Sequence, residues 1–383
     1  PWIRVQALEP TTSRVYPGVD GKLVYVADAQ GNTIIDASHA GYKGGGVRIP
    51  RVPIAETIWP VTGDNSQHIQ DAIDRLSSLP PESDGFRGTL LLKAGYYHLS
   101  KPLKIQASGI VLRGEGMEDT GTILVGTRTS NPEDTRRKTL LEIGGEAGVM
   151  VQENTRQTIS DEYVPTGARS FRVASARQFR PGDQVIVRRI GNDDWIDAVG
   201  MNGDTPQSHW DPFNIDWDRV IVDVQGDSIT IDAPITCAIE QRWGGGEIMK
   251  YEDSGRIENV GVENLRGVAE FDPTVRSTEY GNMDRPDFVA EEYYADEDQY
   301  RNFITFDNAK NCWVRHASAM HFVYSMVGTQ SGSKWITIQD CVSREPVSRV
   351  WGARRFTFGL RGQLALVQRC HSDEGRHSFV TGQ

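Results

Sequence analysis

Four stretches of this chain share one pattern, and that pattern restricts the fold more than any other feature. They are "NVGVENLRG" (259–267), "NCWVRHASA" (311–319), "WITIQDCVS" (335–343) and "LALVQRCHS" (364–372). In each, apolar and polar residues alternate with the period of a strand, and the alternation resets at a bend. Aligned, they give one inward row of Val260, Cys312, Ile336 and Ala365, and a second of Val262, Val314, Ile338 and Val367. A third row holds Leu265, Ala317, Cys341 and Cys370. Val314, Ile338 and Val367 are 24 and 29 residues apart, the length of one turn of a solenoid.

The segment "GTLLLKAGYYHLSKPLKIQASGIVLRGEG" has the same character. Its short β-rich runs are separated by turns too long for tight hairpins, so stacked parallel strands are expected rather than a meander. Before it, "DNSQHIQDAIDRLSS" spaces Ile69, Ala72, Ile73 and Leu76 on one helical face. Asp64, Asn65 or Ser66 can cap that helix, and Pro80-Pro81 ends it. The stretch 161–250 differs. Alternating runs with Pro-Gly and Gly-Asp turns flank "GNDDWIDAVGMNGDTPQSHWDPFNIDWD", read as a long loop within an inserted β-rich region.

Composition restricts the partners. The 383 residues carry a formal charge of −11, which disfavours nonspecific contact with nucleic acid or anionic lipid. No apolar run is long enough to span a bilayer. The start "PWIRVQALEP" has neither the make-up of a signal peptide nor an initiating Met, so a leader can have been removed. None of the four cysteines forms a CxxC pair, which argues against zinc. Cys341 and Cys370 are expected as stacked buried thiols, within reach of a disulfide because stacked strands lie about 4.8 Å apart. The triplet Gly44–Gly46 lacks the Lys-Ser/Thr of a phosphate loop.

"DNSQHIQDAID", "GTLLLKAGYYHLSKPLKI" and "IVLRGEG", with Gly95-Tyr96-Tyr97 and Arg113-Gly114-Glu115-Gly116, resemble the opening of pectate-lyase-superfamily proteins. The likeness is specific over about residues 30–126 and general over 255–383. It implies an all-β fold, a right-handed parallel β-helix with an N-terminal capping helix, and it does not cover the inserted small β-rich region. The expected divisions are 1–60 (lead-in), 61–160 (first coils, helix 66–78), 161–250 (insertion) and 251–383 (further coils). The stack is expected to continue past "SFVTGQ" in more coils or to be covered by a partner chain. The resemblance also implies a secreted or cell-surface protein acting on polysaccharide, while the fold hosts lyases, hydrolases and non-catalytic rods alike.

Basic residues precede successive strands of the repeat: Arg301, His321, Arg354, Arg355, Arg376 and His377. Stacking would align them in a column suited to the carboxylates of an acidic polymer. Cleavage of a uronate polymer by β-elimination needs a neutraliser of the carboxylate and a base. His377 or His321 is the expected base, with Arg376, Arg354 or Arg355 neutralising and Arg301 binding. Trp195, Trp210 and Trp217 could stack on sugar rings. The alternatives are a glycoside hydrolase using two of Asp340, Glu345, Asp373 and Glu374, and a non-catalytic binding or structural rod. In each case the same charges can be ordinary surface ion pairs. No protein metal site is expected. Calcium could accompany substrate, although the acidic stretch 291–300 lacks the spacing of a calcium loop and reads as a solvated loop.

Overall fold

In the second half of the chain, strands hydrogen-bond to strands one repeat away, in parallel and without hairpins. The computed structural model describes residues 14–128, 139–205, 208–280 and 291–382. The chain divides into two compact units. One combines residues up to His39 with Met150–Glu252, and the other combines Ala40–Val149 with Asp253–Gln383.

The second unit is built from parallel ladders. One stacks Ile54–Ile58, Gly88–Leu92, Ile110–Arg113, Gly261–Ala269, Ala309–Met320, Lys334–Gln339 and Leu366–Gln368 in that order. The other stacks Leu103–Ile105, Thr139–Gly144, Asn302–Asp307, Ser325–Thr329, Phe356–Leu360 and His377–Thr381. The register pairs Val262 with Val314, Val314 with Ile338, and Ile338 with Val367, as the alternation predicts. Leu265 pairs with Ala317 and Cys312 with Ile336. These side chains form one core with Leu90, Leu112, Phe306 and Phe358.

The resets in the alternation have a backbone cause. Asn264, His316, Asp340 and Arg369 all have φ between 50° and 55°. Asn259, Asn311, Trp335 and Leu364 form a second such set, and His321, Glu345 and Glu374 a third. Left-handed backbone costs an L-residue about 1–2 kcal/mol, so it is confined to single residues. Here the bend recurs at the same three points of the repeat, with the spacings of 24 and 29 residues seen in the core rows.

Helix Ser66–Ser78 buries Ile69, Ala72, Ile73 and Leu76 in this core. The Asn65 side chain does not cap the helix. It is fully buried and bonds to the backbone of Val61 and Gly63. The Asp64 carboxylate takes bonds from the backbone and hydroxyls of Ser66 and Ser100, which hold it ionised well below the usual range. All four cysteines are free, so the disulfide does not form. Burial pushes the Cys341 thiol up, while its hydrogen bond holds Cys370 down.

The first unit has its own antiparallel sheet and its own core. Gln184–Arg189 pairs with Ile215–Gln225 on one side and Gly246–Glu252 on the other. The Gly226-Asp227 turn leads from Ile215–Gln225 into Ser228–Ile231. The expected long loop contains a short helix, Asp193–Ala198, whose N-cap Asn192 accepts from the Trp195 backbone N–H. Trp217 is only 4% exposed and donates its Nε1–H to Thr236, so it packs this core and presents no face to a sugar.

Candidate functional site

Alternation along the second ladder decides what faces outward. Ile304, Val327 and Phe358 enter the core, so Thr305, Gly328 and Gly359 point away from it. These three residues are in register on successive strands, continuing to Glu142 on one side and Val380 on the other. They form the floor of a groove of about 460 Å³. At the starts of the strands stand Arg301, Tyr324 and Phe356, and at their ends Gln330 and Arg361.

The Tyr324 and Phe356 rings are 5.2 Å apart, and His377 meets Phe356 edge-on at 4.9 Å. Arg376 donates to the Gly352 carbonyl at 2.6 Å and lies 5.9 Å from the Phe356 ring. Arg301 and Arg361 are exposed, and among the described residues neither has a carboxylate partner. Many other arginines of this unit are paired with carboxylates. Examples are Arg113 with Glu263, Arg266 with Asp119, and Arg369 with Asp340 through two bonds of 2.6 and 2.8 Å. An unpaired guanidinium keeps its forked donors available for a ligand carboxylate.

The expected basic column survives only in part. Backbone bonds place Arg301, Tyr324, Arg355 and Arg376 on or beside successive rungs. Tyr324 occupies the position expected of His321. Arg355 is 5% exposed, turned inward to donate to Ser348, with Glu374 at 3.8 Å. Arg354 forks onto Glu297, whose charge raises the arginine's affinity for its proton. Arg354 and Arg355 are therefore occupied within the fold rather than available to substrate.

His321 stands apart from this groove, beside Glu345, which lines a second cleft. That cleft, of about 170 Å³, is lined by Glu118, Asp119, Arg266, Ser318, Arg344 and Glu345, among others. The His321 Nε2 lies 3.5 Å from Glu345, and its ring meets Phe271 edge-on. Burial lowers its pKa more than Glu345 raises it, so the imidazole stays neutral to lower pH than usual. Nearby, Asp373 bonds to His371 at 2.6 Å and lies 3.8 Å from Arg344. The bidentate Arg369 bond keeps Asp340 ionised below the usual range.

In the first unit Trp195 lies 4.0 Å over the Arg189 guanidinium and packs edge-on against Phe213. Trp210 packs against the same phenylalanine and is 45% exposed. The acidic stretch is a set of partners rather than a solvated loop. Asp296 binds Arg128, Glu297 binds Arg354, and Glu292 binds Arg276. Among the described residues no three His, Cys, Asp or Glu side chains gather as a metal-ligand set. No helix among them is long and apolar enough to cross a membrane.

Sequence reasoning missed Arg361, Tyr324, Phe356 and the two glycines. A signal for the glycines was present. "SMVGT" and "FTFGL" each place a glycine directly after a core residue of equivalent strands.

No protein-family model matches the chain, and neither does any curated protein. Solved structures do match. The tailspike protein gp49 from Pseudomonas phage LKA1 is similar over 80% of this chain and 39% of its own, at 12% identity and TM-score 0.42. An iota-carrageenase from A. fortis is similar over 88% of this chain and 46% of its own, at 10% identity and TM-score 0.37. A mutant DFA-IIIase from Arthrobacter chlorophenolicus A6, solved in complex with DFA-III, is similar over 83% of this chain and 56% of its own, at 12% identity and TM-score 0.34. The chain thus spans about two fifths to just over half the length of these proteins.

Proposed function

We propose that this chain is a secreted or cell-surface protein whose second unit, a right-handed parallel β-helix, binds an acidic, uronate-containing polysaccharide in the glycine-floored groove and cleaves it by β-elimination. The observation that carries this reading is the pair of unpaired arginines, Arg301 and Arg361, at opposite ends of the strands in a protein of net charge −11. Tyr324 and Phe356 supply apolar ring faces beside them, the mixture that sugar sites use.

In this reading an arginine neutralises the uronate carboxylate and so acidifies the C5 proton. His377, exposed at the strand start beside Phe356, takes that proton. The C4–O bond breaks as the C4=C5 double bond forms, and the departing oxygen acquires a proton from water. Arg376, with its bond to Gly352, steadies the turn that carries His377. No carboxylate is among the described residues that line the groove, so that lining does not fit calcium.

The test is ultraviolet absorbance of the unsaturated uronate, measured with polygalacturonate, alginate and hyaluronan, with and without calcium, beside His377→Ala. A rise that the variant loses supports the reading. The cleft with Glu118, Asp119 and Glu345 favours a second reading, hydrolysis by paired carboxylates. New reducing ends without absorbance, lost in Glu345→Gln, would select it. Neither signal would leave a binding or structural role.

A further inference from the structure

Gly328 and Gly359 are neither turn glycines nor packing glycines. Both lie inside strands, in register, and neither has a positive φ. A Cβ added to Gly328 would meet nothing nearer than Ser325 Oγ at 3.5 Å, and one added to Gly359 nothing nearer than Tyr324 at 3.9 Å. Other strand glycines of this unit are different. At Gly261 a Cβ would stand 2.3 Å from the Trp313 ring, and at Gly267 2.4 Å from Phe303. Glycine within a strand costs stability and leaves a side-chain position empty. At Gly328 and Gly359 neither backbone nor core explains that cost.

We infer that Gly328 and Gly359 set the floor of a sugar subsite, keeping two successive rungs bare so that a uronate ring lies against the backbone between Arg301 and Arg361. The inference rests on the groove reading above and deepens it. The empty positions extend along the stack, from one strand to the next, so the polymer runs across the strands rather than parallel to them. Arg301 begins the rung of Thr305, and Arg361 follows the rung of Gly359, two rungs further on and at the opposite wall. A linear polymer with carboxylates reaching both of its edges meets both guanidiniums. The same row continues past Thr305 to Glu142 and then to Lys104 on the next rung, and these two charges pair at 3.5 Å.

The experiment is electrophoresis of the full chain through gels containing polygalacturonate, with dextran as the neutral control, together with thermal melting. Gly328→Ala, Gly359→Ala, Gly328→Val and Gly359→Val are compared with the wild type. Wild type is expected to be retarded by polygalacturonate, and the valine variants to lose at least about tenfold in affinity. Neither alanine variant should melt lower than wild type, since the added methyl meets only ordinary van der Waals contacts. Valine variants retarded as strongly as wild type would overturn the floor while leaving the groove reading intact. Alanine variants that melt lower would also overturn it, because the glycines would then serve packing. Wild type unretarded by polygalacturonate would remove the groove reading, and this inference with it.

Discussion

At the scale of single residues, similar side chains do opposite work. Arg354 is clamped by Glu297, and Arg301 is not clamped by any described carboxylate. Arg354→Ala is expected to lower stability by about 1 kcal/mol in urea unfolding, because a part-buried forked bond is lost. Arg301→Ala and Arg361→Ala should leave stability within about 0.5 kcal/mol and weaken retention by polygalacturonate. Sequence placed both kinds of arginine before strands and could not separate them. The separation depends on Glu297, 57 residues from Arg354.

His321 gives a pH dependence with a definite sign. Burial depresses its pKa in the folded chain, so the unfolded chain binds the proton more tightly. Its contribution to stability is full above about pH 6.5 and is lost as pH falls through the folded value. Melting followed from pH 7.5 to 5 should show this loss, and His321→Phe should reduce it. An unchanged slope in the variant would assign the loss to other groups.

At the scale of elements, the apolar spacing of 66–78 and the alternation of the repeats were enough to predict the helix and the core rows. Both patterns are local periodicities of the chain. The short helix Asp193–Ala198 was not predicted, because six residues held by an Asn192 cap give little periodicity. The groove walls were missed for a related reason. Gln330 and Arg361 follow their strands by one residue, where alternation no longer indicates direction. Packing glycines offer the test at this scale. Gly267→Ala should cost about 1–3 kcal/mol, since its methyl would press on the buried Phe303 ring. Asn65→Ala should cost a similar amount by leaving the Val61 and Gly63 backbone groups without partners.

At the scale of the molecule, the two units have separate cores, one centred on the stacked rows and one on Phe171, Val187, Trp217 and Ile248. Calorimetry should therefore resolve two transitions rather than one. Trp217→Phe should shift only the transition of the first unit. A single transition, displaced whole by that substitution, would contradict this. The 24 residues from Val314 to Ile338 begin and end at equivalent points of the repeat, with a bend of each of the three kinds between them. A tandem copy of 315–338 would thus present matching hydrogen-bonding edges to the rungs above and below it. Each such copying event would carry its own outward position in the row of Thr305, Gly328 and Gly359. The length of polymer that a descendant could hold would then grow by whole rungs, as a count fixed by gene duplication rather than by refinement of any one contact.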